Sequence, residues 1–381
     1  MEGVLIHADT VRSATLRHEV PVAIMDPFTY LEVDGRRVVV ISVLEADRVA
    51  GVASDVEIID PYELGMDELV AQGLRWDQAE IELALRGCER LGLTQVTVPA
   101  DTSVAVADRL RAAGVEVVVD EAEFIRRRRV KNELEIAGVR RAQAAATAAM
   151  CIAAELLRDS YDRDGFLYHR GNALTAETVR EAMRAHTAAL GAPMPGDVVV
   201  GSGASGASGH EPGTGQLAAG VPIVIDIWPQ DESSTCWADM TRTFVAGSPP
   251  ANDVVEMHRL ALDALERVKE AARPGITGQE LHGIASDVFE AAGHPTQRTK
   301  AAGEILRDGF FHSLGHGVGL EVHEEPSLGR AGRDPLVPGD VIAVEPGTYR
   351  HGYGGVRLED LLLITADGCE VLADFPYDLT P

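Results

Sequence analysis

The first part of the chain alternates short runs of β-branched apolar residues with longer amphipathic runs. The strand-like runs are 36–44, 94–99 and 115–120, and the helix-like runs are 76–92 and 101–114. Strands that alternate with helices are typical of an α/β layer with a largely parallel sheet. This part has no GxGxxG or phosphate-loop motif at a helix start, so nucleotide binding gains no support.

The pattern changes near residue 130. The run Arg126–Arg129 is followed by a long segment rich in Ala, Leu, Glu and Arg, which predicts a long amphipathic helix. Four adjacent arginines could bind a polyanion, but we interpret them as a solvated hinge between two domains. The length of the chain also favours two domains. We therefore expect an α/β domain over 1–128 and a second domain over 129–381.

The second domain contains an internal repeat. Segments 217–226 and 336–345 match position for position, and each is a turn that leads into an apolar strand ending at a carboxylate. A second acidic residue follows each strand after 13 or 14 positions, across a stretch whose Gly, Pro and Ser residues predict a hairpin. The four carboxylates at the matched positions are Asp226, Asp239, Glu345 and Glu359.

Two helical segments precede each hairpin. They cover 131–157 and 172–190 in the first repeat, and 253–272 and 277–293 in the second. The predicted fold class is therefore α+β, with a second domain made of duplicated helix-helix-hairpin halves that face one another around a pseudo-twofold axis. In this arrangement the four carboxylates lie in the cleft between the halves.

Carboxylates gathered in a half-buried cleft repel one another and resist the loss of water, so they either take up protons or bind cations. For one carboxylate alone, an ion pair with a neighbour such as Arg242 or Arg357, or a place on the solvated face, is the better interpretation. Four carboxylates at matching positions instead favour a pair of divalent metal ions.

A glycine-rich stretch, Phe310–Pro326, adds histidines to this site. It contains three histidines and three glutamates but shows no helical spacing. A histidine beside carboxylates moves the metal preference from Mg²⁺ or Ca²⁺ towards Mn²⁺, Fe²⁺, Co²⁺ or Zn²⁺. We expect one of these histidines to bind metal and the others to face the substrate. The Gly/Ser-rich loop 201–215 places His210 before a strong strand, and we interpret it as the rim of the same site.

Composition narrows the range of partners. The formal net charge of −26 disfavours nucleic acid and anionic membranes and favours divalent cations and neutral or cationic substrates. No apolar stretch is long enough for a secretory signal or a membrane span. Four widely spaced cysteines without a CxxC pair are typical of free thiols in a reducing cytosol. We therefore expect a cytoplasmic protein that binds neither nucleic acid nor membrane.

Several motifs of the second domain resemble those of a known family. They are HSLGHGVGLEVHEEP (312–326), VIDIWP (224–229) with DMTRTF (239–244), VIAVEPGTY (341–349) and VRLEDLLLIT (356–365). They resemble the signatures of the pita-bread metallopeptidases, the family of methionine aminopeptidase, aminopeptidase P and prolidase. The chain as a whole is similar to the aminopeptidase P and prolidase branch, which adds a creatinase-type N-terminal α/β domain.

The resemblance implies an activity and a metal content. It implies a homodimeric exopeptidase that hydrolyses the Xaa-Pro bond at the N-terminus of peptides or in dipeptides, by a hydroxide that bridges two divalent ions. Mn²⁺ is the expected metal, with Co²⁺, Fe²⁺ or Zn²⁺ as alternatives. Asp239 and Glu359 match the ligands that bridge both ions. His316 and Glu345 match ligands of one ion, and Asp226 matches a ligand of the other.

Further residues receive roles from the same resemblance. His210 and His323 match histidines that contact the substrate and the developing oxyanion, to which they can donate hydrogen bonds. His312 matches a histidine near the substrate pocket, and Arg357 matches an arginine that supports the metal-binding strand. Glu345 can accept the proton of the attacking water and pass it to the leaving nitrogen.

Two positions depart from the family pattern. The interval Asp226–Asp239 is two residues longer than usual, which alters one wall of the cleft. Ser327 follows the HEEP motif where prolidases commonly carry an arginine for a dipeptide's carboxylate, so strict dipeptide specificity is not expected. Two alternatives stay open: a metal-dependent hydrolase or lyase of the same fold that acts on a small molecule, and a binding module without activity. Modules of that kind lose metal ligands, whereas this chain keeps all five.

Overall fold

A computed structural model describes residues Met1–Pro381, which form two structural units, Met1–Arg128 and Arg129–Pro381. The buried apolar residues of each unit form hydrophobic cores of their own. None of the helices combines the length and the apolar character that a bilayer span requires.

The first unit is built on a six-stranded sheet with the strand order β4-β3-β2-β1-β5-β6. Its strands are β1 (Glu2–Ala8), β2 (Phe28–Val33), β3 (Arg36–Val40), β4 (Val56–Ile59), β5 (Gln95–Val98) and β6 (Glu116–Val119). Its helices are α1 (Ala14–Glu19), α2 (Val43–Val52), α3 (Met66–Ala71), α4 (Trp76–Leu91), α5 (Val104–Ala112) and α6 (Glu121–Arg129). The two helices predicted for this unit, α4 and α5, are confirmed.

The sheet is mixed, so the expectation of a largely parallel sheet holds for three of its five strand pairs. β1 pairs with β2, and β2 with β3, in antiparallel register, whereas the remaining pairs are parallel. β2 and β3 are joined by Asp34 and Gly35, whose φ angles are both positive at 50° and 75°. This two-residue turn matches the twist of a hairpin and forces the antiparallel pairing. The predicted strand 36–44 ends at Val40, because Ser42 caps the start of α2.

The arginines at the end of α6 are not a solvated hinge. Arg127 Nη1 donates to Glu32 Oε2 at 2.8 Å. Arg129 is buried and makes a bidentate pair with Asp340, at 3.0 and 2.7 Å. Both guanidinium groups are therefore satisfied by carboxylates of the protein, and these contacts also leave little support for a polyanion site. Arg126 fits the prediction, because it is exposed and pairs with its helix neighbour Glu123.

The second unit contains four long helices and four small β-sheets. The helices are α7 (Glu133–Arg158), α8 (Ala176–Ala189), α9 (Asn252–Ala271) and α10 (Gly278–Ala291). The strands of the first half are β7 (Tyr161–Arg163), β8 (Phe166–His169), β9 (Asn172–Ala173), β10 (Val199–Ser202), β11 (Ile223–Ile227) and β12 (Met240–Phe244). Those of the second half are β13 (Gly315–Gly317), β14 (Val341–Val344), β15 (Gly347–Arg350), β16 (Gly354–Arg357), β17 (Asp360–Ile364) and β18 (Cys369–Val371).

The two halves repeat one another with one difference. In the first half two helices precede the antiparallel pair β11–β12, and β10 completes a three-stranded sheet. In the second half two helices precede the antiparallel pair β14–β17, but the hairpin β15–β16 lies between them. Apolar residues of α9 and α10, such as Leu265 and Phe289, form one core with Ile342 and Leu362 of the strands. Each such buried side chain contributes roughly 1.5–3 kcal/mol, so the strands form a firm platform.

The loop 201–215 contains a short 3₁₀ turn and is held to its neighbours by hydrogen bonds. β10 ends at Ser202, and a 3₁₀ turn covers Gly203–Ala207. Its far end is fastened to α8, because Arg180 Nη2 donates to Gly213 O at 2.9 Å and Glu177 accepts from Gly215 N at 3.0 Å. The loop is therefore anchored at both sides of His210.

Candidate metal centre

Each of the five predicted ligands lies on a strand or beside one. Asp226 lies on β11, opposite Thr241 of β12, and His316 is the central residue of β13. The other three flank strands: Asp239 precedes β12, Glu345 follows β14, and Glu359 lies in the link between β16 and β17. The strands cross the interior of the unit, so they carry these polar side chains into a buried place.

The structure brings these residues together. Their ligand atoms lie within 4.8 Å of one another in three overlapping groups. The groups are Asp226 with Asp239 and Glu359, His316 with Glu345 and Glu359, and Asp239 with His316 and His323. His316 Nε2 lies 3.7 Å from Asp239 Oδ2 and 3.9 Å from Glu345 Oε1, which is too far for a hydrogen bond.

The tautomer of His316 suits a metal ligand. Its Nδ1–H donates to Gly317 O at 3.0 Å, so in the neutral ring the lone pair is on Nε2, the atom beside the carboxylates. Burial lowers the pKa of His316 to about 4, which keeps the ring neutral near pH 7.

The carboxylates of the site have raised pKa values, because they are buried and lie close together. Burial, followed by the charges of the neighbouring carboxylates, raises the pKa of Asp239 and of Glu359 well above the usual range. Burial also raises the pKa of Glu345 to about 8. Asp226 Oδ1 is buried and has no hydrogen-bond partner. Divalent cations would neutralise the clustered carboxylates and would coordinate the buried oxygen that has no hydrogen-bond partner. These residues therefore fit a metal centre.

One cation of the protein does reach the cluster. Arg357 is buried, and its Nη2 pairs with Asp226 Oδ2. Its Nε donates to Thr241 Oγ1 at 3.2 Å, and its Nη1 donates to Tyr349 Oη at 3.1 Å. The ion-pair interpretation therefore holds for Asp226 and Arg357, but a single guanidinium cannot balance four carboxylates. Arg242, the other arginine considered, pairs with Asp360 instead.

Three histidines surround the acidic cluster. The exposed ring of His323 is perpendicular to that of His316, with 4.3 Å between the ring centroids. His210 lies close enough to contribute to the lowered pKa values of His323 and His312, which burial causes in the first place. His312 donates from Nδ1 to the carbonyl of Ser313, at 2.7 Å, and its Nε2 lies 3.0 Å from Tyr349 Oη. The structure therefore places His323 next to His316 and His210 near His323 and His312.

The sequence did not single out four residues that support the site. Thr241 Oγ1 donates to Glu359 Oε2 at 2.7 Å, and Tyr349 joins His312 to Arg357. Both lie inside motifs that were recognised, so their position was a usable signal. Lys131 forms a buried ion pair with Glu324, next to His323, and no sequence signal joins two residues so far apart.

The positions that depart from the family pattern are also defined. Ser327 N donates to Glu325 Oε2 at 2.6 Å, and Arg330 Nη1 donates to Gln297 O at 3.2 Å. The longer link between β11 and β12 is organised by Asp231. Its carboxylate accepts from Arg141 of α7, at 2.9 and 2.8 Å, and from Ser234 N at 2.9 Å.

Comparisons with known proteins agree on one family and fold. The profile of metallopeptidase family M24 matches residues 137–366. A Xaa-Pro dipeptidase of Pyrococcus furiosus is 41% identical over 142 residues, which is 37% of this chain and 37% of that protein's length. The probable dipeptidase PepE of Mycobacterium tuberculosis is 33% identical over 285 residues, which is 74% of this chain and 68% of that protein.

Solved structures resemble the whole chain. A Xaa-Pro dipeptidase from Bacillus anthracis gives a TM-score of 0.79 at 23% identity, over 99% of this chain and 94% of that one. An X-Pro aminopeptidase from Thermotoga maritima gives 0.75 at 23% identity, over 100% of this chain and 95% of that one. These likenesses confirm the predicted fold class, a pita-bread domain preceded by a smaller α/β domain.

Proposed function

The chain belongs to metallopeptidase family M24, and on this premise we propose that it hydrolyses the Xaa-Pro bond at the N-terminus of peptides or in dipeptides. The observation that carries the proposal is the convergence of four carboxylates and one imidazole in a buried cluster. The relatives named above are dipeptidases and an aminopeptidase, so they do not favour a lyase or a hydrolase of other small molecules. The retained ligands argue against a binding module without activity.

The proposed cofactor is a pair of divalent ions, with Mn²⁺ expected. Asp226, Asp239, His316, Glu345 and Glu359 would hold them. When bound, such ions lower the pKa of a water molecule and polarise the scissile carbonyl. An oxygen-rich site with one histidine suits Mn²⁺, and it also accepts Co²⁺, Fe²⁺ or Zn²⁺.

Glu345 is the proposed general base. Its side chain is 19% exposed, compared with 10% for Asp226 and 7% for Asp239, and Glu359 is buried. It is therefore the carboxylate that an attacking water reaches most easily. A carboxylate there can take the proton of the water and return it to the leaving nitrogen of proline.

The histidines complete the proposed chemistry. His323 is exposed beside His316, so its ring N–H can donate to the oxyanion that develops on the scissile carbonyl. His210 is also exposed, on the anchored loop, and can donate to the same oxygen or to the substrate backbone. The two ring nitrogens of His312 already contact Ser313 O and Tyr349 Oη. We therefore expect His312 to line the substrate pocket and to orient Tyr349, which in turn contacts Arg357.

The substrate range follows from the position after HEEP. Ser327 carries no charge, and Arg330 is exposed and makes one hydrogen bond, from Nη1 to Gln297 O at 3.2 Å. A dipeptide's carboxylate therefore meets no cation at the position directly after HEEP. We expect longer Xaa-Pro peptides to be accepted as well as dipeptides.

The test is an activity screen of the Mn²⁺-, Co²⁺-, Fe²⁺- and Zn²⁺-loaded protein. Release of the first residue from Xaa-Pro dipeptides and longer Xaa-Pro peptides is expected, whereas matched Xaa-Ala peptides should stay intact. Asp239→Asn, which removes a proposed bridging ligand, is the control for metal dependence. If no metal supports cleavage of any Xaa-Pro peptide, the proposed function is wrong.

Assembly and location complete the proposal. We expect a homodimer, which light scattering of the purified protein would show. All four cysteines are free thiols, which fits a reducing cytosol. Fractionation of the source cells would check this location.

A further inference from the structure

The backbone at Glu359 is positioned by a side chain. Glu359 lies in the link between β16 and β17, outside both strands. Its N–H donates to Thr241 O at 3.1 Å, and its carbonyl accepts from Arg242 Nη1 at 2.6 Å. Arg242 therefore helps to fix the peptide from which a proposed bridging ligand projects.

Arg242 has no spare donor. A guanidinium carries five N–H groups. Its five acceptors are Thr241 O (3.0 Å) and Glu359 O (2.6 Å) at Nη1, Asp360 Oδ1 (3.0 Å) and Phe375 O (3.1 Å) at Nη2, and Pro376 O (3.1 Å) at Nε. The side chain is 1% exposed, so water cannot replace a lost acceptor. The orientation of Arg242 therefore depends on all five acceptors.

Two of these acceptors belong to the segment Phe375–Leu379. This segment lies beyond residues 137–366, which the family profile covers. The ring of Tyr377 in the same segment lies 4.6 Å from the Arg242 guanidinium carbon, and its hydroxyl donates to Asp360 Oδ2 at 2.5 Å. The segment is thus held against Arg242 and Asp360 by hydrogen bonds and by a cation–π contact.

We propose that Arg242 and the segment Phe375–Leu379 are positioning residues of the metal centre: the segment fixes Arg242, and Arg242 fixes Glu359 for a divalent cation. The inference rests on the proposed function in so far as Glu359 is a metal ligand. Groups that orient a ligand typically change metal affinity 10–100-fold when they are removed. We expect an affinity loss of about tenfold or more when either part is perturbed, although every ligand is kept.

The test uses the metal-free full chain and Co²⁺ as the probe. Titration followed by the visible absorption of the bound ion reports both the affinity and the coordination geometry. Arg242→Lys keeps the charge but loses the planar set of donors, and Tyr377→Ala removes the ring and the hydroxyl. Both should bind Co²⁺ about tenfold more weakly or worse, with a changed absorption band. Tyr377→Phe, which keeps the ring, should lie closer to the parent.

A control variant separates positioning from stability. Leu83 is fully buried in a core of the first unit, which carries none of the proposed ligands, so Leu83→Ala should lower the melting temperature and leave the Co²⁺ affinity at the parental value. Parental affinity and spectrum in both Arg242→Lys and Tyr377→Ala would overturn the inference, as would equal weakening in Leu83→Ala.

The inference and the proposed function fail in different ways. A parent protein that binds Co²⁺ but leaves Xaa-Pro peptides intact would contradict the peptidase activity, and the relative affinities would still decide the role of Arg242. A parent protein that binds no Co²⁺ would overturn the inference, because Glu359 would then hold no cation.

Discussion

Lys131 and Glu324 form a buried ion pair beside His323. Their side chains are 2% and 7% exposed, and Lys131 Nζ contacts Glu324 Oε1. Lys131→Met keeps the aliphatic part of the side chain but removes the cation. Loss of one partner from a buried pair typically costs about 3–5 kcal/mol, because the remaining charge is poorly solvated. Glu321 N also contacts Glu324, at 3.4 Å, so we expect the lower end, about 3 kcal/mol of unfolding free energy.

An exposed pair in the same unit provides the control. Arg140 and Glu370 form a bidentate pair with two distances of 2.7 Å, but their side chains are 44% and 46% exposed. Arg140→Met should cost less than about 1 kcal/mol, because water solvates the carboxylate that remains. The double variant Lys131→Met/Glu324→Gln should recover most of the loss, since no charge is left buried.

The assay is urea denaturation of the chelator-treated protein followed by circular dichroism, so that metal binding adds nothing to the measured stability. If Lys131→Met costs no more than Arg140→Met, burial does not decide the strength of these pairs and the reasoning is refuted. If the double variant is no more stable than Lys131→Met alone, the loss comes from packing and not from an isolated charge.

Three further predictions concern pH, metal and the glycine-rich loop. Burial lowers the pKa of His7 to about 4, so the free energy of unfolding should fall as the pH drops from about 6.5 towards 4. In urea titrations, His7→Gln should remove about 1–2 kcal/mol of the decrease in unfolding free energy between pH 7 and pH 5. Chelation should lower the melting temperature, and Mn²⁺ at about 100 times its Kd should restore about 2.7 kcal/mol, as calorimetry would show. A Cβ at Gly213 would lie 2.0 Å from Val200 O, so Gly213→Ala should displace the loop of His210 and lower kcat/KM about tenfold or more. Gly171→Ala, with a similar positive φ but open space around it, should leave kcat/KM unchanged.

The residues of the site could be identified from the sequence because they sit in local motifs and in a repeat. Asp226 and Glu345 end matching apolar strands, and His316 lies in a run where glycines prevent a helix. Short sequence patterns define these strands, and the geometry of the strands then brings the side chains together.

The sequence patterns are misleading where the structure depends on a turn or on contacts between residues that lie far apart in the chain. Arg127 and Arg129 look solvated in the sequence, but their partners Glu32 and Asp340 lie far along the chain. The antiparallel pairing of β2 with β3 follows from the Asp-Gly pair at Asp34, a hairpin signal that the alternation of strands and helices does not contain. Contacts such as that of Lys131 depend on tertiary packing and leave no periodic trace.

The link between β11 and β12 is stabilised by contacts of its own residue Asp231. The carboxylate of Asp231 accepts hydrogen bonds from Arg141 and from Ser234 N. Asp226 and Asp239 are positioned separately, by the paired strands β11 and β12 at the base of the link. Insertions or deletions near Asp231 can therefore accumulate during evolution without moving either acid. An engineer could therefore exchange this segment and leave the acidic cluster as it is.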